Sequence, residues 1–299
     1  MMDDHNTTSE IDKEERRRAF WSLYLLDRLV CCGRARPPAV LEASCHLSLP
    51  SDERAWRAGI QSENRKFESI SYRGIGVEKF PSFAMVVIMA SILSRTAQYM
   101  LQDYNIKSRE PPWDQNSDYA AINCELLSFE RHFEFDSIQT ILLDCYEDGI
   151  IDQGIVGSII FSHALFYLCH CLLNQPFLLR RRLESSSLKV PQTFLRRAMT
   201  SSREYSKRLI YFLRDSKQVG CNILASFYGY CILTAGVIQA LQLNSTDSII
   251  QQESIECLSI CTPILEDISH HWPNNISLVS LYHFFHHIWF HSSIRHRHI

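Results

Sequence analysis

The stretch "EERRRAFWSLYLLDRLVCCGRARPPAV", Glu14 to Val40, decides the fold. Three arginines lead into a block with few polar residues, a lone carboxylate sits inside it at Asp27, and the segment closes on prolines. Ser9 can cap a helix here, and Asp12, Glu14 and Glu15 place negative charge near the positive end of its dipole. Glu14 and Arg18 are four apart, the favourable order for a helical ion pair. Phe20 and Tyr24 share one face, Trp21, Leu25 and Leu29 another, and Leu23, Leu26 and Val30 fill the gap between them. The spacing therefore predicts a helix wrapped on most sides. Gly33 supplies a stop, and Pro37 and Pro38 forbid resumption. A carboxylate in such a helix needs a partner. Arg36 is the expected one, which would lock the chain reversal; the alternative is a narrow exposed polar stripe of Asp27 and Arg28.

The helical reading extends along the chain. Pro50 and "SDE" predict a turn into a short capped helix. Residues 57–80 and 102–116 read as loops. Helices are predicted over Pro81–Leu101, Ser117–Phe135, Gly154–Leu173 (ended by Pro176), Gln192–Asp215, Cys221–Leu243, Ser248–His271 and Ser277–His291. In the helix from Gln192, Leu195, Met199, Leu209 and Phe212 are expected to face inward. Glycine and proline number ten each, too few for a turn-rich β architecture, and no strand alternation or internal repeat is evident. The fold class is all-α: a multi-helix bundle whose two central helices, within Gln153–Leu179 and Gln218–Thr246, are apolar on every side.

Those two stretches are also long enough to span a bilayer. His163, His170, Asn174, Asn222 and Gln239 stand against that reading, since lipid would meet them at a cost. A multi-helix membrane protein is therefore an alternative, and no membrane is the preferred reading. The net charge of −3 offers no global basic field for nucleic acid. Eleven scattered cysteines do not form a disulfide framework, and reduced thiols fit a cytosolic or nuclear compartment.

Reaction chemistry is hard to find. "RGIGVEK" lacks the spacing of a phosphate loop, and no nucleophile elbow or HExxH is present. Cys31 and Cys32, Cys169 and Cys171, and Cys257 and Cys261 make no Cys-x-x-Cys pair, so no zinc site is assigned to them. At the C-terminus, His283, His287 and His291 share one helical face and could chelate a divalent metal, but no nearby carboxylate orients them. A helical metal-binding protein or enzyme using these histidines is a further alternative. No catalytic, metal or DNA-binding residue is assigned.

The opening stretch, continued through "LSLPSDE", resembles the signature of the fungal-specific transcription factor domain, the helical regulatory region downstream of a binuclear zinc-cluster module. The matching positions are Glu14, Arg16, Arg17, Arg18, Phe20, Trp21, Tyr24, Asp27, Arg28, Arg36, Pro37, Leu49, Pro50, Asp52 and Glu53. Ala35 replaces the usual glycine. "LFYLCHCLLNQPFLLR", "FYGYCILTAGVIQAL" and "SIECLSICTPILEDISHHWPNNISL" are similar to later family segments. The resemblance implies a single helical regulatory domain over 1–299, with a signature segment at 9–56 and a bundle over 117–294. It implies control of RNA polymerase II transcription in the nucleus, and no enzyme activity. Transcriptional co-regulators or a small-molecule effector would be its partners. DNA and zinc would be bound only through a Cys-x2-Cys-x6-Cys module N-terminal to this chain, with a homodimer in the longer protein. The family's domain has several helices before the motif, so the chain is expected to be clipped at its start.

Overall fold

A computed structural model describes residues 9–34, 36–60, 66–67, 80–101, 110–130, 138–184 and 189–273. The described residues are mostly helical, and the class is all-α as expected.

Helix α1 runs Glu10–Arg34. Ser9 and Asp12 cap it reciprocally: the Asp12 N–H donates to Ser9 Oγ at 3.1 Å and the Ser9 N–H to Asp12 Oδ2 at 3.3 Å. Its buried stripe is Glu14, Trp21, Tyr24, Arg28, Cys31 and Cys32. The predicted all-round wrapping fails at Leu23 and Leu26, which are 66% and 57% exposed. They lie on the side opposite Trp21 and Tyr24, where no described element packs.

After a 3-10 turn at Glu42–Ser44 comes α2, Glu53–Arg57, capped by Asp52, whose carboxylate accepts from the Arg54 and Ala55 N–H groups. Helix α3, Ser82–Leu101, is buried almost throughout from Ala84 to Met100. It joins the two expected central helices as a third. Helix α4, Asp118–Phe129, starts from a Ser117 cap. Helix α5, Ile138–Leu143, and the strands β1, Tyr146–Glu147, and β2, Ile150–Ile151, follow. The strands pair antiparallel around Asp148 and Gly149, both at positive φ. Asp-Gly suits such a two-residue hairpin turn because only glycine and short polar residues take that backbone cheaply.

Helix α6, Gln153–Leu173, starts at an Asp152 cap and is the hub, packing on α3, α4, α8 and α9. It ends at Asn174, whose amide donates to His170 O at 3.0 Å. Pro176, expected as a stop, is instead the first residue of α7, Pro176–Glu184. Proline lacks only an N–H that has no intrahelical partner at that position, and Gln175 Oε1 accepts the Leu178 N–H at 2.7 Å to cap the new helix. Helix α8, Gln192–Gln218, buries Leu209, but Met199 is 55% exposed, against expectation. Gly220 at φ 91° ends this run. Helix α9, Ser226–Leu241, therefore starts later than Cys221, and α10 spans Ser248–His271. A buried polar chain ties the last three helices: Gln239 of α9 donates to Ser206 Oγ at 2.8 Å and accepts from Ser254 Oγ at 3.0 Å.

Helices α3, α9 and the run Gln153–Arg181 are long and apolar enough to cross a membrane by length and composition, yet most of each is buried within the bundle. The predicted helix Ser277–His291 with its three histidines lies outside the described residues, as do most of the two predicted loops.

Candidate functional site: a latched signature helix beside an apolar groove

The returning segment 36–57 is fastened to α1 at three levels. At the first, the Glu14 carboxylate is buried, pairs with Arg17 and Arg18, and accepts the Ser51 N–H at 2.8 Å. Arg18 reaches Glu53 at 2.6 Å and Ser51 O at 2.9 Å, with its guanidinium 4.1 Å above the Trp56 ring. At the second, fully buried Trp21 donates from Nε1 to Ser48 O at 2.8 Å and meets Phe20 edge-on at 5.1 Å. At the third, Asp27 accepts the Ala39 and Val40 N–H groups, each at 3.1 Å.

This third level corrects the expected Asp27–Arg36 pair. Asp27 is satisfied by backbone N–H groups, by Arg28 at 3.1 Å and by the Cys31 thiol, while Arg36 is exposed and directed at the Cys31 sulfur. The deeply buried charge is Arg28, 1% exposed, not Asp27. Arg28 donates to Val40 O at 2.6 Å and lies over the Tyr24 ring at 4.2 Å. Burial opposes ionisation of Asp27, but the Val40 and Ala39 N–H groups, the Cys31 thiol and Arg28 outweigh it and hold the carboxyl below its usual range. Burial, then the Glu42 carboxylate, pushes the Tyr24 phenol up, so it stays protonated and donates to Glu42 at 2.8 Å. Ser91 of α3 donates to the same Glu42 oxygen at 2.7 Å. Of the remaining signature residues, Pro50 is buried, and Pro37 is exposed with its carbonyl accepting from the Cys31 thiol at 3.4 Å.

The first level continues into the bundle. Glu53 pairs with Arg57 at 3.2 Å, and Arg57 reaches the Asp152 cap of α6 at 2.5 Å. Hydrogen bonding from Arg57 holds the Asp152 carboxyl below its usual range, against a smaller opposing effect of burial. An ionic relay Glu14–Arg18–Glu53–Arg57–Asp152 thus connects the signature helix to the first turn of α6.

That first turn floors a groove of about 460 Å³. Leu25 and Leu29 of α1 and Phe83 of α3 form one wall, Gly157 and Phe161 the floor, and Phe227 part of the far wall. Phe161 meets Tyr228 edge-on at 5.3 Å. At one end, Gln153 bridges to the segment before α9, donating to Gly220 O at 3.2 Å and accepting the Asn222 N–H at 3.0 Å. The signature positions do not themselves converge on this groove. It was not foreseen from the sequence, because its walls come from helices far apart in the chain; Gly154 and Gly157, one turn apart on α6, were its only local sign. The Glu14–Arg18 pair expected from spacing forms at 3.2 Å, but the links of Glu14 to Ser51 and of Arg57 to Asp152 escape the sequence for the same reason. Among the described residues, no group of three or more His, Cys, Asp or Glu side chains is placed to hold a metal.

A latched helix of this sequence in an all-α bundle defines a class. Residues 3–154, just over half of the chain, match the fungal specific transcription factor domain, and the chain belongs to that family. Over 282 residues, 88% of the chain, it is 22% identical to the Zn(2)-C6 fungal-type transcription factor FTF1c of Fusarium oxysporum f. sp. lycopersici, covering 29% of that protein. It is 22% identical to FTF1a of the same fungus over 255 residues, 79% of the chain and 22% of that protein. A shorter stretch of 62 residues, 20% of the chain, is 45% identical to the arabinolytic transcriptional activator araR of Emericella nidulans, covering 8% of it. The chain thus spans less than a third of the curated relatives it matches. No solved structure matches it. These relatives are transcription factors, which points away from an enzyme and toward the nucleus in general terms.

Proposed function

We propose that this chain is the regulatory domain of a zinc-cluster transcription regulator, that it works in the nucleus on RNA polymerase II transcription, and that it catalyses no reaction. The observation that carries this is the family match over residues 3–154, in which signature positions Glu14, Arg18, Trp21, Asp27 and Arg28 fasten the returning segment to α1. Zinc and DNA would be bound by a separate N-terminal module, with co-regulators or a small effector acting on this part and dimers forming in the longer protein. In physical terms, regulation requires two packings that a ligand or partner binds unequally. The relay from Glu14 to Asp152 supplies a route by which the signature helix and α6 shift together.

The test is to tag the protein at its own locus in a fungal host and to delete it in parallel. Nuclear fluorescence and altered transcript levels for a defined gene set on deletion are expected. Cytoplasmic fluorescence with an unchanged transcript profile would overturn the proposal.

A further inference from the structure

We infer that the groove between α1, α6 and the start of α9 is a binding site for a neutral, largely apolar small molecule. The site deepens the regulatory reading above, on which only its consequence for transcription rests; the binding itself does not.

Size and chemistry set the class. A volume of about 460 Å³ falls within the range of small-molecule sites. None of the described residues lining the groove is charged. The charges beside Gly154, Arg57 with Glu53 and Asp152, are already paired with one another, so a phosphate, a carboxylic acid or an ammonium ion would lose its hydration with no free counter-charge in return. Sugars are disfavoured for a related reason. Each hydroxyl needs partners, and the polar side chains of the lining are few: Gln153, Ser158, Asn222, Ser226 and the phenol of buried Tyr228. Of these, Gln153 already uses both ends of its amide on Gly220 and Asn222, and Ser158 donates to Gly154 O at 3.1 Å. What remains is a largely apolar trough with few polar groups, the exposed Asn222 amide and Ser226 among them near the start of α9. That suits an aromatic or alicyclic body carrying one hydrogen-bonding group.

The length of the groove suits a small molecule better than a peptide helix. Gln153 to Phe161 spans about 12 Å of α6 at the helical rise per residue. The Gln153 bridge to Gly220 and Asn222 marks one end, so the apolar trough covers only about two turns of a partner helix. The groove is also placed to report occupancy. One wall is the signature helix, at Leu25 and Leu29, and the floor is the α6 turn held by Arg57 and Asp152. A ligand that fills it ties these elements to the entry of α9.

Gly157 makes the site testable without damaging the fold. A Cβ built there meets nothing within 4 Å, so a larger side chain would enter the groove rather than the core. Replacing a helix-interior glycine also favours the helix. The purified chain would be titrated with Nile red, a neutral apolar dye, alongside Gly157→Leu and Leu26→Ser. The last removes an exposed leucine outside the groove. Thermal melts establish that each variant is folded.

Saturable one-to-one binding to the unaltered chain is expected. It should weaken at least about tenfold in Gly157→Leu, a loss of roughly 1.4 kcal/mol, and persist in Leu26→Ser. Equal binding by Gly157→Leu, or no saturable binding by the unaltered chain, would overturn the site. Stronger competition by arabinose or inorganic phosphate than by neutral aromatics would overturn the ligand class. Binding as expected in a protein that leaves transcription unchanged would sink the regulatory reading while leaving the site standing.

Discussion

The carboxylate of Asp27 holds the backbone N–H of Val40 at 3.1 Å, thirteen residues away, and Arg28 holds the Val40 carbonyl from the other side at 2.6 Å. Two neighbouring side chains of opposite charge thus grip both polar groups of one returning residue. This explains a charge pair in the apolar second half of α1: it replaces the hydrogen bonds that a chain reversal against a buried helix face would otherwise lose. Prolines suit the turn because they forbid helix and present carbonyls without N–H groups.

Asp27→Ala should cost about 2–3 kcal/mol, the range for hydrogen bonds to a charged group whose partners are left unmet. Exposed Arg36, which does not carry the turn, should change stability by less than about 0.5 kcal/mol when replaced by alanine. Urea melts of the two variants decide between them. Equal losses would restore Arg36 as the partner of Asp27.

Arg18→Lys should be harmful although it keeps the charge. Arg18 serves Glu14, Glu53 and Ser51 O at once and stacks over Trp56. An ammonium cannot span that set from one position. A loss of about 1–2 kcal/mol is expected, against almost none for Arg16→Lys, where the side chain is exposed. Thermal melts that rank the two alike would contradict the latch.

His170 predicts an acid weakness. Its ring lies flat on Tyr205, with centroids 3.8 Å apart, and Nε2 has no hydrogen-bond partner among the described residues. Burial, with a smaller contribution from Arg208, pushes its pKa down to about 3 from 6.5. Between those values the unfolded chain binds the extra proton and the folded chain does not, so stability falls as pH is lowered through that window. Asp27 and Asp152, held below the ordinary carboxylate value of 3.8, lose their contribution only at lower pH. Melting temperature should therefore drop between pH 6.5 and 4.5, and His170→Phe, which keeps a stacking ring, should flatten that drop. An unchanged slope in the variant would rule the histidine out.

Gln239 should prefer leucine to alanine as a replacement. Ser206 donates to Arg203 O, and the single Ser254 O–H can turn to Ile250 O when Gln239 is removed, so an apolar side chain of similar size strands neither. Gln239→Leu is expected to cost less than about 1 kcal/mol and Gln239→Ala about 2–3 kcal/mol, the excess being the cavity. Reversed order in denaturant melts would mean the polar chain itself holds the three helices.

The helices were legible because their signals are local. Ser9 caps where it was expected to, the short helix after Pro50 is capped as its sequence predicts, and the apolar spacing of α3, α6 and α9 survives in the fold. Where local signals are double-edged, the reading failed. Pro176 stops one helix by starting another, and the Asp148–Gly149 hairpin rests on a dipeptide too short to show strand alternation. Leu23 and Leu26 look like core from spacing alone, since periodicity cannot reveal that no neighbour covers that face. Asp27 stands out in the sequence, but backbone N–H groups leave no mark there, and the spacing points instead to a nearby arginine. The groove needed α1, α3, α6 and the entry to α9 to meet, which only the packed fold shows.

The most direct test of the central claim places residues 1–299 between a heterologous zinc-cluster DNA-binding module and an activating segment, and reads a reporter gene. A regulatory domain should change reporter output several-fold relative to the same fusion without it. Unchanged output, with both fusions accumulating equally in the nucleus, would contradict the account.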